Sequence, residues 1–240
     1  MIGHGKMKGL LSRVRGAILI TMVTLASAVS ADPQNVREAL SNAESNQGTS
    51  GRSSFELRQG VNEFGIFGGT SLNTPTVIGT VADARLTLVG LRYGRILGAV
   101  QGVAFEYTTD VIPVAVVSQP QSVVRQSAPG TVAVRRERTS VYGVGLAPVG
   151  FKFIFRRGAQ VQPFASTSGG ILYFAKQVPA PGSSQFNFTF NFSGGVQFLT
   201  RARRAVTVGY EFRHISNGGT APFNPGLDAN IIYGGFSVYR

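Results

Sequence analysis

Near the end of the chain, His214-Ile215-Ser216-Asn217 is followed, fourteen residues after the histidine, by Asp228. An imidazole, a hydroxyl and a carboxylate are the parts of a nucleophilic relay: serine attacks, histidine takes its proton, and the carboxylate fixes the imidazole tautomer. Two nearby asparagines, Asn217 and Asn224, are amide donors. One of them, with a backbone N–H of the Gly218-Gly219 region, could hold a developing oxyanion. The sequence has two histidines and no cysteine. His4 falls in an N-terminal segment expected to be removed, so any histidine acid/base must be His214. A multi-histidine or thiolate metal site is excluded, and no metal or cofactor is expected.

Parity decides where these groups point. Successive side chains of a strand alternate between its two faces. In the run 206–216, Val206, Val208, Tyr210, Phe212, His214 and Ser216 share one face, while Thr207, Gly209, Glu211 and Arg213 share the other. In the run 228–238, Asp228, Asn230, Ile232, Gly234, Phe236 and Val238 share a face. The three reactive groups therefore end apolar stripes. If those stripes face lipid, the polar groups do too, and a polar group in that setting points to function. Between the runs, residues 217–227 are rich in Gly, Pro and Asn, the composition of a connecting loop.

The start of the chain reads as an export signal. Lys6, Lys8, Arg13 and Arg15 precede the apolar stretch 16–25, which is too short to span a bilayer, and small residues around 26–31 offer cleavage sites. Cleavage after Ala31 would remove four basic residues and no acidic ones. The formal charge of +12 then becomes 19 basic against 11 acidic residues, or +8. Much of the basicity is thus targeting, and no nucleic-acid partner is expected. Residues 32–59 are polar, with a short helix expected near 35–43.

From residue 60 onward the chain is rich in glycine, with only 14% charged residues overall. Eight strand-like runs follow, roughly 60–69, 84–94, 98–108, 139–155, 160–176, 185–199, 204–216 and 229–239. Each approaches or exceeds the ~9–11 residues a tilted strand needs to cross a bilayer. The clearest, 185–197, alternates Phe186, Phe188, Phe190 and Phe192 with Asn187, Thr189, Asn191 and Ser193. An aromatic face opposite a small polar face suits lipid outside and a polar barrel interior. The connections alternate long and short: 70–83 long, 94–98 tight, 109–138 longest, 156–159 tight, 177–184 medium, 200–203 tight, 217–227 long. Long loops outside and short turns inside are the pattern of outer-membrane barrels. The expected fold is all-β, an eight-stranded antiparallel transmembrane β-barrel of the bacterial outer membrane. The expected division is a signal peptide at 1–31, a polar segment at 32–59 and the barrel at 60–240.

On that topology His214, Ser216 and Asp228 meet at the extracellular rim, on the outer wall. Their substrate would come from the membrane plane, as lipopolysaccharide or phospholipid. His214-Ile215-Ser216-Asn217, with Asn224-Pro225-Gly226-Leu227-Asp228 before a terminal strand, resembles the lipid A 3-O-deacylase (PagL-type) family. The likeness in motif covers about residues 210–230. It implies a cofactor-free esterase on an eight-stranded outer-membrane barrel that removes the acyl chain at position 3 of lipid A. It also implies an oxyanion role for Asn224. The family carboxylate is Glu, and Asp228 is one methylene shorter.

Glu211 and Arg213 point inward and read as an interior ion pair. Arg135, Arg136 and Arg138 fall in the longest loop or at its rim. Solvated loop charge is the default for them, and contact with lipid A phosphates is the sharper alternative, because a guanidinium matches phosphate bidentately. Two other functions stay open. One is a non-catalytic barrel in adhesion or envelope structure; the other is a different membrane lipid hydrolase or acyltransferase built from the same groups.

Overall fold

Alternating side chains build this protein. The computed structural model describes residues 55–128 and 131–240, and side chains within these outside 122–134. The signal at 1–31 and the short helix expected near 35–43 lie outside the described residues. Eight strands run in order: β1 (Asn62–Asn73), β2 (Arg85–Val100), β3 (Val103–Ala128), β4 (Thr131–Phe155), β5 (Val161–Val178), β6 (Ser184–Leu199), β7 (Arg204–Ser216) and β8 (Leu227–Tyr239). Each pairs antiparallel with the next, and β8 pairs with β1 to close the ring. The protein is an eight-stranded barrel of the outer-membrane type, and closure leaves no unpaired edge in the wall.

The outward stripes are apolar. Ile66, Leu91, Phe153, Tyr173, Phe188, Val208 and Phe236 are all exposed, as lipid-facing side chains of such a wall are. On β6 the inward residues Asn187, Thr189 and Asn191 are buried, opposite the phenylalanine face. The lumen is filled rather than open. Lys152 Nζ lies 3.1 Å from Glu63 and 3.4 Å from Glu106. Arg92 grips Asp110 with two 2.8 Å bonds, and Arg213 pairs with Glu211 at 2.6 Å. The inward ion pair expected at Glu211 and Arg213 is therefore present. Lys152 is the only cation within 4.0 Å of Glu63 or Glu106 among the described residues. Lys152→Met is expected to destabilise the barrel by about 3–5 kcal/mol, because it strands buried carboxylates. The measurement is a lowered urea midpoint in reversible unfolding.

Two expectations about connections are corrected. The turn between β2 and β3 is at Gln101-Gly102, where both residues have positive φ (49° and 83°), not at 94–98. Gly94 is a mid-strand residue whose absent Cβ leaves room for the buried Glu106 carboxylate: a Cβ there would lie 2.1 Å from Oε1. Gly98 sits at a register shift in the β2–β3 ladder. The stretch 109–138 is not a loop either. β3 and β4 continue as a paired ribbon from Ala115↔Gly143 to Ala128↔Thr131. Pro120 lies just past the last β2–β3 pair, Arg85↔Ser118, where a free edge tolerates proline. At Ala147-Pro148, where proline cannot donate to the ladder, β4 carries a bulge, with register shifts on both flanking ladders. Short turns gather at one end of the barrel and long connections at the other, where β7 ends and β8 begins.

Candidate active site

The β7–β8 ladder places His214 directly opposite Asp228. His214 Nδ1 is 2.6 Å from Asp228 Oδ1. Both belong to the outward parity sets, yet both are buried, because loops fold over them at the rim. With Nδ1 held by the carboxylate, Nε2 is the nitrogen left for proton transfer.

The other carboxylate oxygen is held by backbone. Asp228 Oδ2 accepts the N–H groups of Val77 (2.9 Å), Ile78 (2.7 Å) and Gly79 (3.0 Å). Successive backbone N–H groups converging in this way form an anion nest. The connection 74–84 carries them, and it is tied to the loop before β8. Thr80 N–H donates to Pro225 O at 2.7 Å, its hydroxyl to the same oxygen at 2.9 Å, and Val81 N–H to Gly226 O at 3.3 Å. Gly79 must be glycine for this approach, since a Cβ would lie 2.7 Å from the Gly226 carbonyl carbon. Gly226 has φ +64°, and a Cβ on it would press on His214 Cε1 at 3.0 Å. The nest carries no side-chain pattern, and the sequence reading missed it. Its one trace is Gly79 inside a β-branched stretch, Thr76-Val77-Ile78-Gly79-Thr80.

Ser216 is half-buried on the same face as His214, two residues further along β7. Its hydroxyl makes no side-chain hydrogen bond among the described residues, so the serine–histidine contact is not formed here. Phe188 is its partner across the β6–β7 ladder. The Phe190 ring lies 5.2 Å from the His214 ring, and Phe186 meets Phe188 edge-on at 5.3 Å. The hydroxyl thus stands beside an aromatic face that continues toward the bilayer.

The two asparagines differ. The buried Asn217 braces its loop: Nδ2 donates to Phe223 O at 2.9 Å and Oδ1 accepts from Gly219 N–H at 2.9 Å. Its amide is thereby engaged away from any oxyanion. Its backbone N–H donates to Asn224 Oδ1 at 3.0 Å. That bond orients Asn224, which is exposed, and leaves its Nδ2 without a partner among the described residues. Gly219 N–H is taken, whereas Gly218 N–H has no partner among the described residues.

The arginine run does not form one patch. On β4, Arg135 alternates with Arg136 and Arg138 across the ribbon. All three are exposed. Arg138 also bonds Asp83 Oδ1 (2.7 Å) and the Asp83 carbonyl (3.0 Å). That contact ties the ribbon to the connection holding Asp228.

The model of the lipid A 3-O-deacylase (PagL) family matches residues 119–237. That span includes His214, Ser216, Asp228 and both asparagines. The crystal structure of the outer membrane enzyme PagL is similar over 73% of this chain and 98% of that one, at 16% identity and a TM-score of 0.50. Neisserial surface protein A (NspA) is similar over 76% of this chain and 99% of its own, at 13% identity and a TM-score of 0.44. The first likeness bears on fold. No curated protein sequence matches the chain.

Proposed function

We infer from one premise, that this chain belongs over residues 119–237 to the lipid A 3-O-deacylase (PagL) family, that it is an outer-membrane esterase hydrolysing the 3-O-linked acyl chain of lipid A. The observation that carries this reading is the His214–Asp228 pair. It lies on the outward parity of the barrel wall, with the carboxylate cradled by three backbone donors.

The chemistry is written from these groups. Ser216 Oγ attacks the ester carbonyl carbon as its proton passes to His214 Nε2. Asp228 stays ionised and stabilises the imidazolium that forms. The tetrahedral oxyanion is held by Asn224 Nδ2 and Gly218 N–H, with Asn217 keeping the Asn224 amide aimed outward. Collapse breaks the C–O bond, and the departing sugar oxygen takes the proton from His214. Water, deprotonated by the same imidazole, then cleaves the acyl-serine, releasing the fatty acid and restoring Ser216. The aromatic face of Phe186, Phe188 and Phe190 accepts the acyl chain from the outer leaflet. Residues 1–31 serve as the export signal and 32–59 as a polar lead-in to the barrel.

Arg135 and Arg136 meet the lipid A phosphates, while Arg138 acts through Asp83. Replacing Arg135 and Arg136 together with alanine is expected to raise KM on phosphorylated lipid A about tenfold, the scale of a lost charge-assisted bond. The change on dephosphorylated lipid A should be smaller, as steady-state kinetics on both substrates will read.

The function is tested with purified, refolded protein in detergent. Release of a 3-hydroxy fatty acid from lipopolysaccharide supports it. No release from several lipid A types contradicts it and favours a non-catalytic barrel, and release of a different product identifies another lipid hydrolase.

A further inference from the structure

The short-turn end of the barrel is strongly basic. The stretches 156–159 and 200–204 carry five arginines, and Arg58, Arg95 and Arg240 stand at the same end. Seven of these eight are exposed, and Arg157 is half-buried and pairs with Glu56 at 3.0 Å. Counter-charge is short. Of the eleven acidic residues in the sequence, four serve the lumen ion pairs, and Asp83, Glu137 and Asp228 lie at the far end. That leaves Glu56 and the three acids of residues 32–54. Even with the main-chain carboxylate of Arg240 added, eight guanidinium groups meet at most five carboxylates, so at least three have no partner within the chain.

Part of this charge is built into the lipid-facing wall. Asn62 and Arg95 are opposite one another on β1 and β2, and Arg240 exchanges both backbone bonds with Asn62, at 2.8 and 2.7 Å. By parity the three continue the outward stripes of Phe64, Tyr93 and Val238, one row nearer the short turns. Arg204 begins the outward stripe of β7, opposite Val238. The rings of Phe64 and Tyr93 pack at 5.5 Å. Aromatic residues girdle such a wall at the membrane interface, where charge on the lipid face costs little. The arginines therefore lie at head-group depth, and short turns face the periplasm in barrels of this type. Asn62 is held ready beside them. Its Oδ1 accepts from the Tyr93 hydroxyl at 3.0 Å and from Arg95 Nη1 at 3.3 Å, and its Nδ2 is a donor with no partner among the described residues.

We propose that Arg204, Arg240, Asn62 and Arg95 form a head-group site for an anionic phospholipid of the inner leaflet. The guanidinium groups grip its phosphate bidentately, Asn62 Nδ2 donates to it, and its acyl chains run along Phe64 and Tyr93. The site needs the outer-membrane barrel but not the deacylase reading. The test is electron spin resonance of the folded protein in phosphatidylcholine bilayers at low ionic strength. The probes are spin-labelled phosphatidylglycerol and spin-labelled phosphatidylcholine. The wild type should hold phosphatidylglycerol about fivefold more strongly, the scale of one arginine at an anionic surface. Arg95→Gln combined with Arg204→Gln should lose most of that preference. Asn62→Asp keeps an acceptor for Tyr93 and Arg95, so the wall stays folded, but it sets a carboxylate against the phosphate and should lose the preference too. Arg85→Gln combined with Lys176→Gln removes as much exposed charge at the far end and should keep it. No preference in the wild type, or a preference that survives in the first two variants, overturns the site. An equal loss in the Arg85 and Lys176 variant overturns it in favour of net charge alone.

Discussion

Ser216→Ala is expected to lower deacylation by a factor on the order of 10⁴ or more, because removing the nucleophile of a relay leaves only the contribution of the oxyanion donors and of binding. The barrel should be unaffected. Ser216 is half-buried and its hydroxyl bonds to no side chain or backbone group among the described residues, so nothing structural is lost with it. His214→Ala should lose a similar factor, since nucleophile and base act as a unit and their effects do not add. Rates of fatty-acid release from lipopolysaccharide, measured on protein shown to be folded by its far-ultraviolet circular dichroism, check both. A Ser216→Ala protein retaining a tenth of the wild-type rate would exclude the serine as nucleophile.

The second large effect is at Asp228. Asp228→Ala should cost about 10³–10⁴ in kcat, because the imidazole loses both its tautomer and its orientation. Asp228→Glu carries the sharper information. Since the family carboxylate is glutamate, sequence alone anticipates that glutamate would keep or raise the rate. The structure reverses that expectation. Asp228 has no solvent exposure. One oxygen sits 2.6 Å from His214 and the other within 3.0 Å of three backbone N–H groups. An added methylene would drive the carboxylate into residues 77–79, which cannot retreat without pulling on the adjoining ties of Thr80 to Pro225 and of Val81 to Gly226. A fall of about tenfold or more in kcat is expected, the scale of one displaced charge-assisted hydrogen bond. Gly79→Ala should lower kcat by the same route, because its Cβ meets the Gly226 backbone. Steady-state kinetics on the three variants read this. Asp228→Glu as fast as wild type would mean that the nest does not set the carboxylate's position.

Much of the barrel was legible in the sequence because a lipid-facing wall enforces period-two alternation. The Phe186–Phe192 stripe survives in the exposure pattern, and the Val206–Ser216 parity does so as far as Phe212, beyond which His214 is covered at the rim. The pairing of His214 with Asp228 was legible because both end apolar stripes on strands joined by one loop. Glycine misled at Gly94, where the missing Cβ serves a buried carboxylate rather than a turn. The stretch 109–138, read as a loop, is instead a ribbon whose outer edge is free where Pro120 lies. The anion nest left no side-chain pattern beyond Gly79. Its donors are backbone N–H groups lying 149 to 151 residues before the carboxylate they hold. Composition likewise did not reveal that Arg138, of the three exposed arginines, is engaged by Asp83.

The central claim is that the imidazole, hydroxyl and carboxylate at the outer rim cleave an acyl ester of lipid A. Mass spectrometry of lipid A from Gram-negative cells expressing the wild-type protein or Ser216→Ala tests it most directly. The account predicts that wild-type expression removes the mass of one 3-hydroxyacyl chain from position 3 and that Ser216→Ala leaves lipid A intact. Unchanged lipid A in cells holding the folded wild-type barrel, or the same mass loss with Ser216→Ala, would contradict it.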